Sequence, residues 1–160
     1  MMENYLLEHI PISSAMGIKV EQASAQKIIL CAPLSNNINH KNTVFGGSLH
    51  AVATLACWSL LHVNLESLCE ENFQIVIASS LVNYLAPVAS DFKVECEMPK
   101  PGEWDRFVKI LLKKGKARIN LQATIFNDGQ LCVEYKGVFA ALKIRKNSEN
   151  VELVNQIRIN

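Results

Sequence analysis

The stretch GSLHAVATLACWSLLHV, residues 47–63, decides the fold. On a helical wheel its apolar side chains fall on every face, which describes a helix surrounded by protein rather than one lying on a surface. It is the most apolar run in the chain. His50, Thr54, Ser59 and His62 nevertheless interrupt it, and from Ser48 to Val63 it falls short of the ~20 residues a bilayer span requires. A buried central helix is the expectation.

The segments after this helix read as strands: Gln74 to Leu85, Phe92 to Met98, Phe107 to Lys113, Ala117 to Phe126 and Leu131 to Ile144. Pro87, Pro99 to Gly102, Gly115 and Asn127-Asp128-Gly129 separate them, and Asp-Gly is a strong hairpin signal. Phe92, Val94, Cys96 and Met98 alternate with Lys93, Glu95 and Glu97, and Ala117, Ile119, Leu121, Ala123 and Ile125 repeat the pattern, so each strand buries one face. Connections this short require antiparallel pairing, and the one long helix is the available cover for the apolar face. Upstream lie a short helix or turn, Tyr5 to Ala15, broken at Pro11, strands Gly17 to Gln22 and Lys27 to Ala32, and a polar loop, Ser35 to Asn42. The fold class is α+β, an antiparallel sheet wrapped around one long helix. Residues 1–144 form a single domain, and the polar run 145–160 is expected to be a frayed tail.

With 160 residues the chain can bury a core without disulfides or metal. A net charge of +1 provides no broad basic field for nucleic acid, so no nucleic-acid partner is expected. Cys31, Cys57, Cys69, Cys96 and Cys132 are odd in number, widely spaced and mostly within apolar segments, which reads as reduced core residues in a cytoplasmic protein rather than a disulfide or zinc framework. Met1 to Ile10 lacks the basic start and long apolar run of a secretory signal, so neither export nor a membrane partner is expected. No cluster of carboxylates or cysteines accompanies the histidines, so no metal site is expected.

The chemistry is concentrated in Asn36 to Leu49, which runs straight into the buried helix. Gly46 and Gly47 allow close backbone approach, and the first amides of a helix have no intrahelical partner, so they can aim N–H groups at an oxygen in the positive field of the helix start. Such a pair can polarise a carbonyl. It can equally serve only to pack the start of the helix, with Ser48 helping to cap it. Thr54 lies about two turns beyond Gly47 on the same stripe, with His50 at the stripe's edge. Thr54 either takes part in the chemistry or bonds back to the carbonyl of His50. In the strand Gln74 to Leu85, Ser80, Val82 and Tyr84 share one face and Ser79, Leu81 and Asn83 the other, so only one set can meet the helix.

The run Asn39-His-Lys-Asn-Thr-Val-Phe-Gly-Gly47, followed by an apolar helix, resembles the asparagine loop and helix start of hotdog-fold acyl-CoA thioesterases of the phenylacetate-pathway type. Thr43-Val-Phe-Gly-Gly-Ser48, Thr54-Leu-Ala-Cys-Trp58 and Asn83-Tyr-Leu-Ala-Pro-Val88 are more closely similar to the YiiD C-terminal-domain thioesterase family. The resemblance spans most of Ile12 to Leu142. It implies a hotdog domain that hydrolyses an acyl-CoA or acyl-carrier thioester as a homodimer or dimer of dimers, with coenzyme A entering only as part of the substrate and no cofactor.

It also implies that Asn39 is the loop asparagine and that Gly47 supplies the amide facing the thioester oxygen. Thr54 stands where many relatives carry an aspartate or glutamate, and Phe45 where many carry a histidine. A threonine hydroxyl is too weakly acidic to replace a carboxylate as base. The expected catalytic set is therefore Asn39, Gly47 and Thr54, polarising the carbonyl and positioning water, with Phe45, Gly46, Ser48, His50, Ser80 and Asn83 around the substrate. His50 is the alternative base, oriented by Thr54 or Asn39. A dehydratase or isomerase would need a carboxylate with its histidine, and none lies between Ala51 and Val63. The rival reading is a module that binds acyl-CoA without hydrolysing it.

Overall fold

The computed structural model describes residues 2–68 and 72–144; the expected tail and Cys69 lie outside them. The elements in order are α1 (Met2–His9), α2 (Ile12–Ala15), β1 (Lys19–Ala23), β2 (Lys27–Ala32), α3 (Leu34–Asn37), α4 (Gly46–Glu66), β3 (Phe73–Tyr84), β4 (Phe92–Glu97), α5 (Pro101–Lys114), β5 (Lys116–Asn127) and β6 (Gln130–Lys143). The strands form one six-stranded sheet in the order β1-β2-β4-β5-β6-β3. Every pairing is antiparallel.

The alternation read from the sequence is the alternation of burial. Phe92, Val94 and Cys96 on β4, and Ala117, Ile119, Leu121, Ala123 and Ile125 on β5, are all buried in one core with Val52, Ala53, Ala56, Cys57, Leu60 and Leu61 of α4. The β5–β6 hairpin turns at Asp128 and Gly129, whose φ values of 50° and 77° are those a two-residue hairpin of this hand requires. The sheet wraps α4 as a hotdog domain does.

Three expectations are corrected. Phe107 to Lys113 is not a strand but the body of α5. Trp104, Phe107, Val108 and Leu111 recur at helical spacing, Pro101 occupies the first turn, and Gly115, at φ 70°, ends the helix by donating its N–H to the Leu111 carbonyl at 2.8 Å. The local run of apolar residues mimicked a strand, and only the packing of Phe107 and Leu111 into the common core settles the period. The polar loop from Ser35 contains the helical turn α3. Helix α4 has 21 residues, long and apolar enough by length and composition to cross a membrane. Most of it is buried instead, packed into the core it shares with the apolar faces of the strands.

Candidate active site

The chain approaches α4 through a tight turn built around Asn39. The Asn39 backbone N–H donates to the Thr43 carbonyl at 2.8 Å, and its side-chain Oδ1 accepts from the Lys41 N–H at 2.8 Å and the Thr43 N–H at 3.3 Å. Its Nδ2 donates to Thr43 Oγ1 at 3.1 Å and the Val44 carbonyl at 3.4 Å. Among the described residues all the hydrogen bonds of this amide thus stay inside residues 39–44, and none reaches Thr54. Asn42, at φ 60°, takes the left-handed conformation the turn needs. Val44 then pairs with the Val88 carbonyl at 2.8 Å and Phe45 with the Asn37 carbonyl at 2.7 Å, which fixes where the helix begins.

No side chain caps that helix start. Ser48 and Leu49 donate to the Phe45 carbonyl at 3.0 Å and 3.2 Å, whereas among the described residues the amides of Gly46 and Gly47 donate to no backbone carbonyl. Ser48 therefore does not play the capping part considered for it. Phe45, 57 % exposed, lays its ring over Gly47, where a methyl group would overlap its Cε1. Tyr84 on β3 lies against Gly46, with its hydroxyl donating to the Gly46 carbonyl at 3.0 Å. Two donor amides in the field of a 21-residue helix, walled by two aromatic rings, can hold a carbonyl oxygen.

One turn and two turns along α4, His50 and Thr54 meet the sheet. His50 Nε2 lies 2.9 Å from Ser80 Oγ on β3, and Thr54 Oγ1 donates to Tyr135 Oη on β6 at 3.1 Å. Thr54 thus bonds across to the sheet rather than back to the His50 carbonyl. The His50 and Tyr135 rings are 5.6 Å apart. Burial pushes the Tyr135 phenol above its ordinary pKa, while the hydrogen bond from Thr54 pulls the other way. His50 with Ser80, and Thr54 with Tyr135, thus form two neighbouring polar pairs between α4 and the strands β3 and β6.

The structure separates Ser80 from Asn83. Ser80 and Tyr84 face the helix, while Asn83 shares the outer face with Leu81, so Asn83 joins neither pair. Tyr135 was not among the expected residues, nor was Gly137, where a methyl group would meet Phe139 Cε2 at 2.6 Å and Tyr135 Oη at 2.8 Å. The only sequence signal for either was the inward parity of β6, which marks a core tyrosine and not its hydroxyl's partner. Among the described residues no group of three or more His, Cys, Asp or Glu could hold a metal ion. Cys57 and Cys96 are buried with their sulfurs 3.5 Å apart, and burial raises the Cys57 thiol well above its ordinary pKa.

A family model described as "Putative thioesterase (yiiD_Cterm)" matches residues 1–143. A protein of unknown function from Chlorobaculum tepidum TLS is 34 % identical over 89 % of this chain and 93 % of its own, with a TM-score of 0.85. A protein described as a "putative thioesterase" from Shewanella oneidensis is 29 % identical over 88 % of this chain and 94 % of its own, with a TM-score of 0.77. A thioesterase family protein from Silicibacter pomeroyi, 19 % identical over 89 % of this chain and 96 % of its own at a TM-score of 0.64, shares the fold.

Proposed function

The chain belongs to the yiiD_Cterm thioesterase family, and on that premise we propose that it hydrolyses acyl-CoA or acyl-carrier thioesters at the start of α4. The observation that carries this reading is the pair of unpartnered amides of Gly46 and Gly47 with the Thr54 hydroxyl two turns further along the same helix. Gly47 N–H polarises the thioester carbonyl, and charge building on its oxygen is held by the helix start. Thr54 Oγ1 positions the attacking water. Phe45 and Tyr84 flank the thioester, and Lys41, in the turn beside the helix start, is placed to meet a coenzyme A phosphate.

The site is built for a homodimer. β3 is an edge strand, and Ile77, Leu81 and Tyr84 on it, with Leu85 just after it and Phe45 beside it, are exposed apolar side chains. A second β3 laid along this edge satisfies its free backbone groups, covers the apolar residues and closes the side of the site at Ser80. In that arrangement the 39–44 turn of one protomer faces the Thr54 region of the other, which gives Asn39 a water to share with Thr54. The described cysteines are all free thiols, which supports a reducing, cytoplasmic setting.

A panel of acyl-CoA and acyl-carrier thioesters assayed for turnover tests the reading. Thr54→Val is expected to lower kcat by ~10- to 1000-fold with folding and much of the affinity intact. Thr54→Asp, which restores the carboxylate of many relatives, is expected to preserve or raise activity if the folded protein tolerates the charge. Tight binding of a nonhydrolysable acyl-CoA by a parent protein that turns over no thioester would establish the binding module instead.

A further inference from the structure

We propose that Tyr135 is a positioning residue for the hydrolysis: its buried hydroxyl holds the Thr54 hydroxyl off the helix backbone and keeps the Thr54 oxygen ready to accept from the attacking water. The proposal rests on the thioesterase reading above and deepens it, because that reading gives Thr54 a water to aim and nothing to fix the aim. A hydroxyl inside a helix has a competing partner close by, the carbonyl one turn back, here that of His50. Bonded to that carbonyl, a threonine lies against its own backbone and holds no water in one place.

Thr54 Oγ1 donates to Tyr135 Oη on β6 at 3.1 Å instead. A threonine hydroxyl has one hydrogen, and with that hydrogen committed to the phenol its oxygen offers the site only lone pairs. A water held there donates a hydrogen to Thr54 and keeps a lone pair for the carbonyl carbon, which is the orientation an attack requires. Were Thr54 the donor to that water, the water would have a lone pair tied to Thr54 and turned from the carbon.

Tyr135 is 1 % exposed, so it meets neither water nor substrate and can act only through Thr54. Thr54 is half-buried, on the stripe of α4 that also carries Gly47, His50 and Ala51 and that the core leaves uncovered. The phenol is fixed from both sides, because β6 is an inner strand that sets Tyr135 opposite Val82 of β3 and Ala123 of β5. Gly137, the next residue on the inward face, leaves the hydroxyl its room: a methyl group there would stand 2.8 Å from Oη and 2.6 Å from Phe139 Cε2. An inner strand, a packed ring and an absent side chain together leave the Tyr135 hydroxyl one position, which is what holding a second hydroxyl in place requires.

The test is a double-mutant cycle on thioester hydrolysis by the full chain, with urea unfolding followed on the same preparations. Tyr135→Phe keeps the ring and removes the hydroxyl, and Thr54→Val removes the group that hydroxyl holds. Tyr135→Phe alone is expected to lower kcat by ~10- to 100-fold with little change in KM. In the Thr54→Val background the same change is expected to lower kcat by less than about twofold, because nothing is left to position. A tyrosine that only packs the core would lower kcat by the same factor in both backgrounds, and that additive result overturns the proposal, as does a parent-like kcat in Tyr135→Phe. Should Tyr135→Phe fail to fold, Gly137→Ala, which displaces the hydroxyl without removing it, completes the cycle: its loss of kcat should likewise vanish with Thr54→Val, and an equal loss in both backgrounds overturns the proposal. Additivity in an active parent leaves the proposed hydrolysis standing, whereas a parent that hydrolyses no thioester overturns both.

Discussion

At the scale of single residues, the site depends on what is missing as much as on what is present. Gly137 has no side chain because Tyr135 and Phe139 occupy that space, so Gly137→Ala should cost ~1–3 kcal/mol through overpacking and also displace the Tyr135 hydroxyl. Chemical denaturation and kcat measured on one preparation check both effects, and a stable variant with unchanged kcat would show that the hydroxyl's position is immaterial. Asn39 was legible in the sequence as the loop residue proposed for the site, but the partners of its amide were not. Its amide is engaged within residues 39–44, so Asn39→Ala should lower stability by ~1–2 kcal/mol as well as activity, and a urea midpoint equal to the parent's would contradict that account. Thr54, His50 and Ser80 were each legible as polar residues in apolar segments. Tyr135, the partner of Thr54, was not, because an inward tyrosine in a strand pattern is indistinguishable from an ordinary core ring.

At the scale of elements, α1 is held on α4 by stacked rings. Tyr5 lies 4.6 Å from His62 and 5.9 Å from Trp58 between ring centroids, and Trp58 and His62 stack at 4.7 Å. Burial lowers the His62 pKa below the usual 6.5, outweighing the pull of Glu66, whose carboxylate lies 3.3 Å away. The unfolded chain therefore binds the proton more readily than the folded one, so stability falls as pH drops through the window below about 6.5 and is unaffected well above it. Melting temperatures across pH 5 to 8 should show this loss in the parent and less of it in His62→Gln. Cys57 joins α4 to β4 through its contact with Cys96, and Cys57→Ser is expected to cost ~1–3 kcal/mol without altering chemistry, since a hydroxyl there enters an apolar site. Lost turnover in a folded, substrate-binding Cys57→Ser protein would point to a thiol mechanism.

At the scale of the whole molecule, the exposed apolar edge at β3 predicts association: light scattering in dilute solution should give a dimer, and Leu81→Lys, which places a charge on that edge at a side chain now 61 % exposed, should weaken it. A parent that is strictly monomeric yet fully active would remove the dimer from the argument. The sequence alone determined the central helix, the antiparallel sheet and its last hairpin, because hydrophobic period, turn residues and short connections are local properties that admit few arrangements. It also singled out Asn39, Gly46, Gly47 and Thr54, leading into and along that helix, as the place proposed for the chemistry. Only the tertiary structure decided that α5 is a helix, since a short apolar run satisfies either period until a neighbouring face selects one. Only it placed Ser80 inward and Asn83 outward, and joined Thr54 to Tyr135 across 81 positions of chain. Such contacts depend on strand register and packing, which are set by the whole core and by no stretch of sequence near either partner.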